Sequence, residues 1–220
     1  EFRRVLFRSK EMINAAPDPI VRQSIVQNFE REANILATLS HPSIPKIFDY
    51  FTHEERSYLV LEYINGKDLE ALMADTDQPF SEDQVIAWTI EILDLLQFLH
   101  THKPEPIIFR DMKPSNVMIN QNNHVVMVDF GIAKVFREGQ RGTMVGTEGY
   151  SPPEQYRGEA TVQADIYALG ATLHHLLTRR DPRLETPFTF SERPISQYNN
   201  NVSMEFETVI NTALMYNPND

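Results

Sequence analysis

Asp111, Lys113, Asn116 and Asp129 are the residues of this chain whose types and spacing are best suited to chemistry. The chemistry they suit is the holding of two metal ions and a triphosphate while a hydroxyl attacks the terminal phosphorus. Such a transfer asks for position and charge more than for covalent work by the protein. Asp111 would orient the incoming hydroxyl and accept its proton. Lys113, two residues on, would neutralise charge on the moving phosphate. Asn116, five residues after Asp111, offers a neutral oxygen to a magnesium ion, and Asp129 offers a carboxylate. Both are oxygen ligands of the kind hard cations take.

A preorganised site of this sort needs stiff flanks. Ile107–Phe109 and Val117–Ile119 are apolar runs on either side of the polar loop, and Val125–Val128 leads straight into Asp129. Short strands are expected at all three. Elsewhere, Ile20–Leu39 reads as an amphipathic helix, with Ile25, Phe29, Ile35, Leu36 and Leu39 apolar. Ile44–Tyr50 and Tyr58–Tyr63 read as strands around a polar turn at His53–Arg56. Lys67–Met73 is expected to be a short helix. A long one should start at Ser81, where Ser81 and Gln84 fit a capping box, and run to about Leu99. Val162–Leu177 should be a buried helix, Leu184–Asn201 an irregular loop, and Ser203–Met215 a last helix.

Composition narrows the class. A chain of 220 residues can bury a sizeable core in one or two lobes. Its 20 basic and 31 acidic residues give a net charge of −11, which argues against nucleic acid as a partner. It has no cysteine, so neither disulfides nor a thiolate metal site. No apolar run approaches the length of a membrane span.

The segments Phe-Arg-Asp-Met-Lys-Pro-Ser-Asn-Val-Met (109–118) and Asp-Phe-Gly (129–131) resemble the catalytic loop and metal-binding motif of the protein kinases. The Lys-Pro-Ser-Asn form is similar to the serine/threonine branch, and the flavour resembles the eukaryotic-like kinases of bacteria. Further matches follow in the family's order. Phe29-Glu30-Arg31-Glu32, with Leu36, Leu39 and His41-Pro42, resembles the regulatory helix; Leu61-Glu62-Tyr63-Ile64-Asn65-Gly66 resembles the hinge. Gly146-Thr147-Glu148-Gly149-Tyr150-Ser151-Pro152-Pro153-Glu154 resembles the end of the activation segment, and Asp165–Gly170 the start of the central helix of the large lobe. The resemblance covers Lys10 to the last residue. It implies an α+β, two-lobed kinase-like fold, with an incomplete β-rich small lobe (10–64) and a mainly helical large lobe (65–220).

The resemblance also implies roles. Asp111, Lys113, Asn116 and Thr147 would be catalytic, with Thr147 bridging Asp111 and Lys113. Asn116 and Asp129 would hold Mg2+, or Mn2+ in its place. ATP would be held by Lys10 with its ion-pair partner Glu32, by the hinge residues Leu61, Glu62 and Ile64, and by Asp68 and Met118. Asp68 would meet the ribose; as a bare residue it reads equally as a helix N-cap. Met118 would floor the adenine site, with a plain core methionine as the alternative. Leu61 would guard the back of the pocket, buried in either case. Phe109 replaces the family's usual histidine and would stack with Leu36, Ile47 and Phe130. Asp165 would bind the backbone of the catalytic loop; an N-cap is the other reading. Thr143, in the Gly-rich stretch between Asp129 and Glu154, could accept phosphate and pair with Arg110, ordering that stretch. Otherwise it is an exposed threonine that is never modified. The adjacent His174 and His175 lack metal-ligand spacing and are expected on the surface or in the core.

The ends are atypical for the family. No glycine precedes Gly66, and Arg8 falls where a small alanine is expected against the adenine. Residues 1–9 are therefore read as a non-native leader to be excluded from fold reasoning, with a divergent native strand as the alternative. The match also stops short of the last family helix. Glu154 should then lack its buried partner. Because the glycine-rich lid over the phosphates is absent, this 220-residue piece is expected to be weak or dead as an enzyme. The resemblance implies transfer from ATP to Ser or Thr of a protein substrate, in the cytoplasm, with any membrane anchor in regions beyond this piece. A pseudokinase scaffold without transfer activity is the alternative. A small-molecule kinase is a weaker third, against which the Pro-Pro-Glu segment argues.

Overall fold

A computed structural model describes residues 7–13, 23, 30, 33–53, 56–130, 146–159 and 161–218. The chain divides into two compact units, Glu1–Asn65 and Gly66–Asp220.

The first unit is a three-stranded antiparallel sheet and a helix. Its strands are β1 (Phe7–Ile13), β2 (Ile47–His53) and β3 (Arg56–Glu62), in the order β1-β3-β2. β1 pairs with β3 along its whole length, from Phe7 opposite Glu62 to Ile13 opposite Arg56. Phe7–Ser9, set apart in the sequence reading, thus take part in the fold. β3 lies centrally and buries Ser57 and Leu59 at alternate positions, as a strand covered on one face should. Residues 23, 30 and 33–38 are the described residues of helix α1. Ala33 and Leu59 are buried together, with Ile47 and Leu61 packed against them, so Leu61 is half-buried rather than buried. The hairpin is longer than the expected turn at His53–Arg56: both end residues belong to strands and face each other across the ladder. Strand pairing overrides the polar composition there.

The second unit begins with β4 (Gly66–Asp68), antiparallel to β5 (Val117–Asn120), which pairs with β6 (Val125–Met127). Gly66 permits this approach, because a Cβ there would lie 2.1 Å from the carbonyl oxygen of Ile119. Helix α2 (Leu69–Ala74) starts two residues later than expected. Asp68 sets the boundary: its carboxylate accepts from Ala71 N at 2.8 Å as the N-cap, so Lys67 stays in the strand and pairs with Asp75 at 2.7 Å. α3 (Glu82–His100) is capped by Ser81 and buries Val85, Trp88, Ile92, Leu95, Leu96 and Leu99 on one helical face.

After α4 (Pro153–Tyr156) comes α5 (Val162–Thr178), capped by Thr161 and buried nearly all round. The expected loop Leu184–Asn201 is more ordered than its Pro, Ser and Asn content suggests. It carries single turns of 3-10 helix and the short helix α6 (Ile195–Tyr198). Side chains from α5 and from the loop itself tie it down: His174 Nε2 bonds to Arg193 O at 2.8 Å, and Asn199 Nδ2 donates to Leu177 O at 3.1 Å. α7 (Met204–Ala213) follows, with Ser203 as N-cap and Glu82 of α3 bonding the Ser203 hydroxyl at 2.6 Å. Among the described residues, no helix is long and apolar enough to cross a membrane.

Candidate active site

The polar loop that carries Asp111 is held by three elements. Its approach, Ile107–Phe109, is not the expected strand. Ile107 N donates to Leu99 O at 3.0 Å at the end of α3, and Phe109 packs edge-on against Phe130 with ring centroids 5.1 Å apart. Asp165, fully buried in the first turn of α5, then takes over the backbone. Its carboxylate accepts from Phe109 N at 2.8 Å and from Arg110 N at 2.7 Å, and lies 2.8 Å from His100 Nε2. The network reading of Asp165 is the observed one; the cap of α5 is Thr161.

Arg110 adopts a left-handed backbone, φ 68°, which is costly for a side chain with a Cβ and persists only where the surroundings impose it. Its turn aims Asp111 inward, where the carboxylate is buried and closely engaged. Thr147 donates its hydroxyl to Asp111 Oδ1 at 2.6 Å, and Lys113 Nζ donates to Thr147 Oγ1 at 2.9 Å while lying 3.3 Å from Asp111 Oδ2. Asn116 closes a single turn of 3-10 helix (Pro114–Asn116). Its amide NH2 donates to the Asp111 carbonyl at 2.8 Å and to Oδ2 at 3.1 Å, which turns the amide oxygen away from Asp111. Val128 N donates to Asn116 O at 2.9 Å, so Asp129 emerges beside Asn116. Asp129 is also left-handed, φ 59°, and its side chain is exposed. On a second flank, Asp68 and Met118 face each other across the β4–β5 ladder. Asp68 is the observed N-cap, and Met118 is half-buried.

Asp111, Lys113, Asn116, Asp129 and Thr147 are therefore brought together. Leu61, Glu62 and Ile64 belong to the other unit. There Glu62 Oε2 accepts from Lys46 N at 3.2 Å, tying the end of β3 to the residue before β2, at the open end of their ladder. The Lys10 side chain, Glu32 and Thr143 lie outside the described residues. Glu154 is buried, and none of the described basic side chains pairs with it.

One group beside the loop escaped the sequence reading. Gln155, buried in α4, donates from Nε2 to Arg110 O at 3.0 Å and to Ser151 Oγ at 3.2 Å. His175 is buried, and its Nδ1 lies 2.7 Å from the hydroxyl of Tyr150. Burial pushes His175 down to about 4 and pushes the Tyr150 phenol up. His174 is buried and also lowered by burial, so the histidine pair belongs to the core.

The model of the protein kinase domain matches residues 10–220. The chain is 41% identical over 161 residues to a probable serine/threonine-protein kinase PknB of Lactococcus lactis, a match covering 71% of this chain and 25% of that protein. It is 34% identical over 212 residues to the serine/threonine-protein kinase PknB of Mycobacterium leprae, covering 89% and 33%. Among solved structures, the apo form of PpkA-294 superposes with a TM-score of 0.71 at 24% identity, covering 91% of this chain and 72% of that one. The chain spans a quarter to a third of the length of these curated relatives. It belongs to the protein kinase domain family.

Proposed function

We propose that this chain is the phosphoryl-transfer domain of a serine/threonine protein kinase, using ATP and Mg2+ or Mn2+ to modify Ser or Thr hydroxyls of proteins. The observation that carries the reading is the convergence on Asp111: one carboxylate bonded to Thr147, Asn116 and Lys113 within 3.3 Å. These donors fix the carboxylate in direction, as a group that orients a hydroxyl must be. Lys113, held by Thr147, carries its charge to the point where a transferred phosphate would pass.

The donor set fits the implied metal. No group of three or more His, Cys, Asp or Glu among the described residues forms a complete metal cage. Asn116 and Asp129 supply only two oxygen ligands, and Mg2+ is commonly bound by one or two protein oxygens with substrate phosphates and water completing the shell. When bound, the ion would neutralise charge between the outer phosphates. Asp68 and Met118 would meet the nucleoside, Leu61, Glu62 and Ile64 would contact the adenine, and Lys10 with Glu32 the inner phosphates. Thr143 is the proposed site of self-phosphorylation, with Arg110 to receive the phosphate. No observation favours the scaffold reading, since Lys10, Glu32, Asp111, Lys113, Asn116 and Asp129 are all retained in the sequence.

The test is transfer of labelled phosphate from Mg-ATP to the protein itself and to a generic basic substrate, using the complete protein. Asp111→Asn and Asp129→Ala should each lower the rate by at least about a hundredfold. Normal turnover by either variant refutes the role given to that residue.

A further inference from the structure

We infer that Gln155 is a positioning residue for Asp111, acting through the peptide carbonyl of Arg110; this rests on the reading of Asp111 as the group that orients the hydroxyl. Arg110 carries the strain of a left-handed residue immediately before the catalytic aspartate. Its N–H is held by Asp165 at 2.7 Å. Its carbonyl is held from the opposite element, α4, by Gln155 Nε2 at 3.0 Å. With both ends of one residue bonded to buried side chains, the φ that directs Asp111 is imposed from two sides.

The clamp also ties the loop to the segment that reaches Asp111 from the other direction. Gln155 Nε2 donates to Ser151 Oγ, and Ser151 Oγ donates to Thr147 O at 3.2 Å. Thr147 in turn bonds Asp111. One buried amide thus spans the Arg110 peptide and the turn that presents Thr147. The space around it is filled: a Cβ on Gly146 would fall 2.3 Å from Gln155 Nε2 and 2.1 Å from Ser151 Oγ. Gly146 has φ 116°, so both backbone shape and space require glycine there. A side chain at 155 of the same length without a donor would fill the volume and remove the bond to the Arg110 carbonyl.

The experiment compares wild type with Gln155→Met, which keeps length and volume, and Gln155→Glu, which sets an acceptor against the carbonyl. The readouts are steady-state transfer, thermal midpoint, and hydrogen–deuterium exchange of peptides covering residues 107–116. Gln155→Met should lower kcat about tenfold, with KM for Mg-ATP within twofold, and Gln155→Glu should lower it further. Exchange should quicken in the 107–116 peptides while α3 and α7 stay as in wild type. Wild-type kcat together with wild-type exchange in Gln155→Met overturns the inference. So does a loss that tracks a general fall in thermal midpoint with exchange raised everywhere. Asp111→Asn is run in parallel: if it transfers phosphate normally, the reading of Asp111 fails, while the exchange data still decide whether Gln155 clamps the loop.

Discussion

Thr147 connects two groups that would otherwise be only loosely related. Its single hydroxyl hydrogen goes to Asp111, so its lone pairs remain to accept from Lys113, and the three side chains form one chain of hydrogen bonds. Without it, Lys113 Nζ keeps only its ion pair with Asp111 Oδ2 at 3.3 Å and loses the hydroxyl that fixes its direction. Thr147→Ala should therefore lower kcat about tenfold, and Thr147→Ser, which keeps the hydroxyl, should retain most of it. Steady-state transfer assays of the two variants check this. Equal rates for both would show that the bridge has no kinetic consequence. Asp68 poses a different question, because it caps α2 and is also proposed to meet the ribose. Asparagine caps as well as aspartate but cannot carry the charge. Asp68→Asn should keep stability and raise KM for ATP, whereas Asp68→Ala should also lose about 1 kcal/mol of stability by urea unfolding.

Strand β5 organises the second unit at the level of elements. It is short, yet it holds β4 on one side and β6 on the other, and the Asn116 turn leads into it. Position 66 controls the first of these pairings. Gly66→Ala would drive a methyl into the Ile119 carbonyl and into Asn120 Cα at 2.8 Å, both backbone atoms that cannot swing aside. The β4–β5 ladder must then open. The expected cost is more than about 2 kcal/mol in chemical denaturation, within the range for overpacked sites. KM for ATP should rise with it, because Asp68 and Met118 face each other across that ladder.

The stability of the whole molecule should depend on pH through its buried histidines. His175 titrates at about 4 in the fold because burial disfavours its charged form, against about 6.5 when unfolded. Between those values the unfolded chain binds a proton that the folded chain does not, so stability falls as pH falls through the window. Above about 6.5 both states are neutral at this site and the contribution is flat. His174 is lowered in the same direction and for the same leading reason. Going from pH 7 to pH 5 should cost roughly 2 kcal/mol at His175 alone. His175→Gln, uncharged throughout, should unfold in urea with a correspondingly shallower pH dependence. An unchanged dependence in that variant would place the acid sensitivity elsewhere.

Much of the site was legible before any coordinates, because its groups are close in the chain. Asp111, Lys113 and Asn116 lie within one short loop, and an apolar run delivers Asp129 beside it, so type and spacing alone define the chemistry. The long helices were legible too, since α3 and α7 carry serine caps and α3 an apolar face repeating every three to four residues. The start of α2 was misplaced because Gly66–Asp68 pair with β5, whose residues lie 50 or more positions away, so Asp68 both ends β4 and caps α2. The ordered stretch at 184–201 was missed because its anchors, His174 and Leu177 O, come from another element. The same holds for Gln155, which reaches the catalytic loop across 45 residues; Asp165, 55 residues away, was expected there only through the family resemblance. Local pattern determined which residues could act on a phosphate. Only tertiary packing decided how the strained peptide before Asp111 is held, because a buried hydrogen bond between distant segments leaves no periodic trace in the chain.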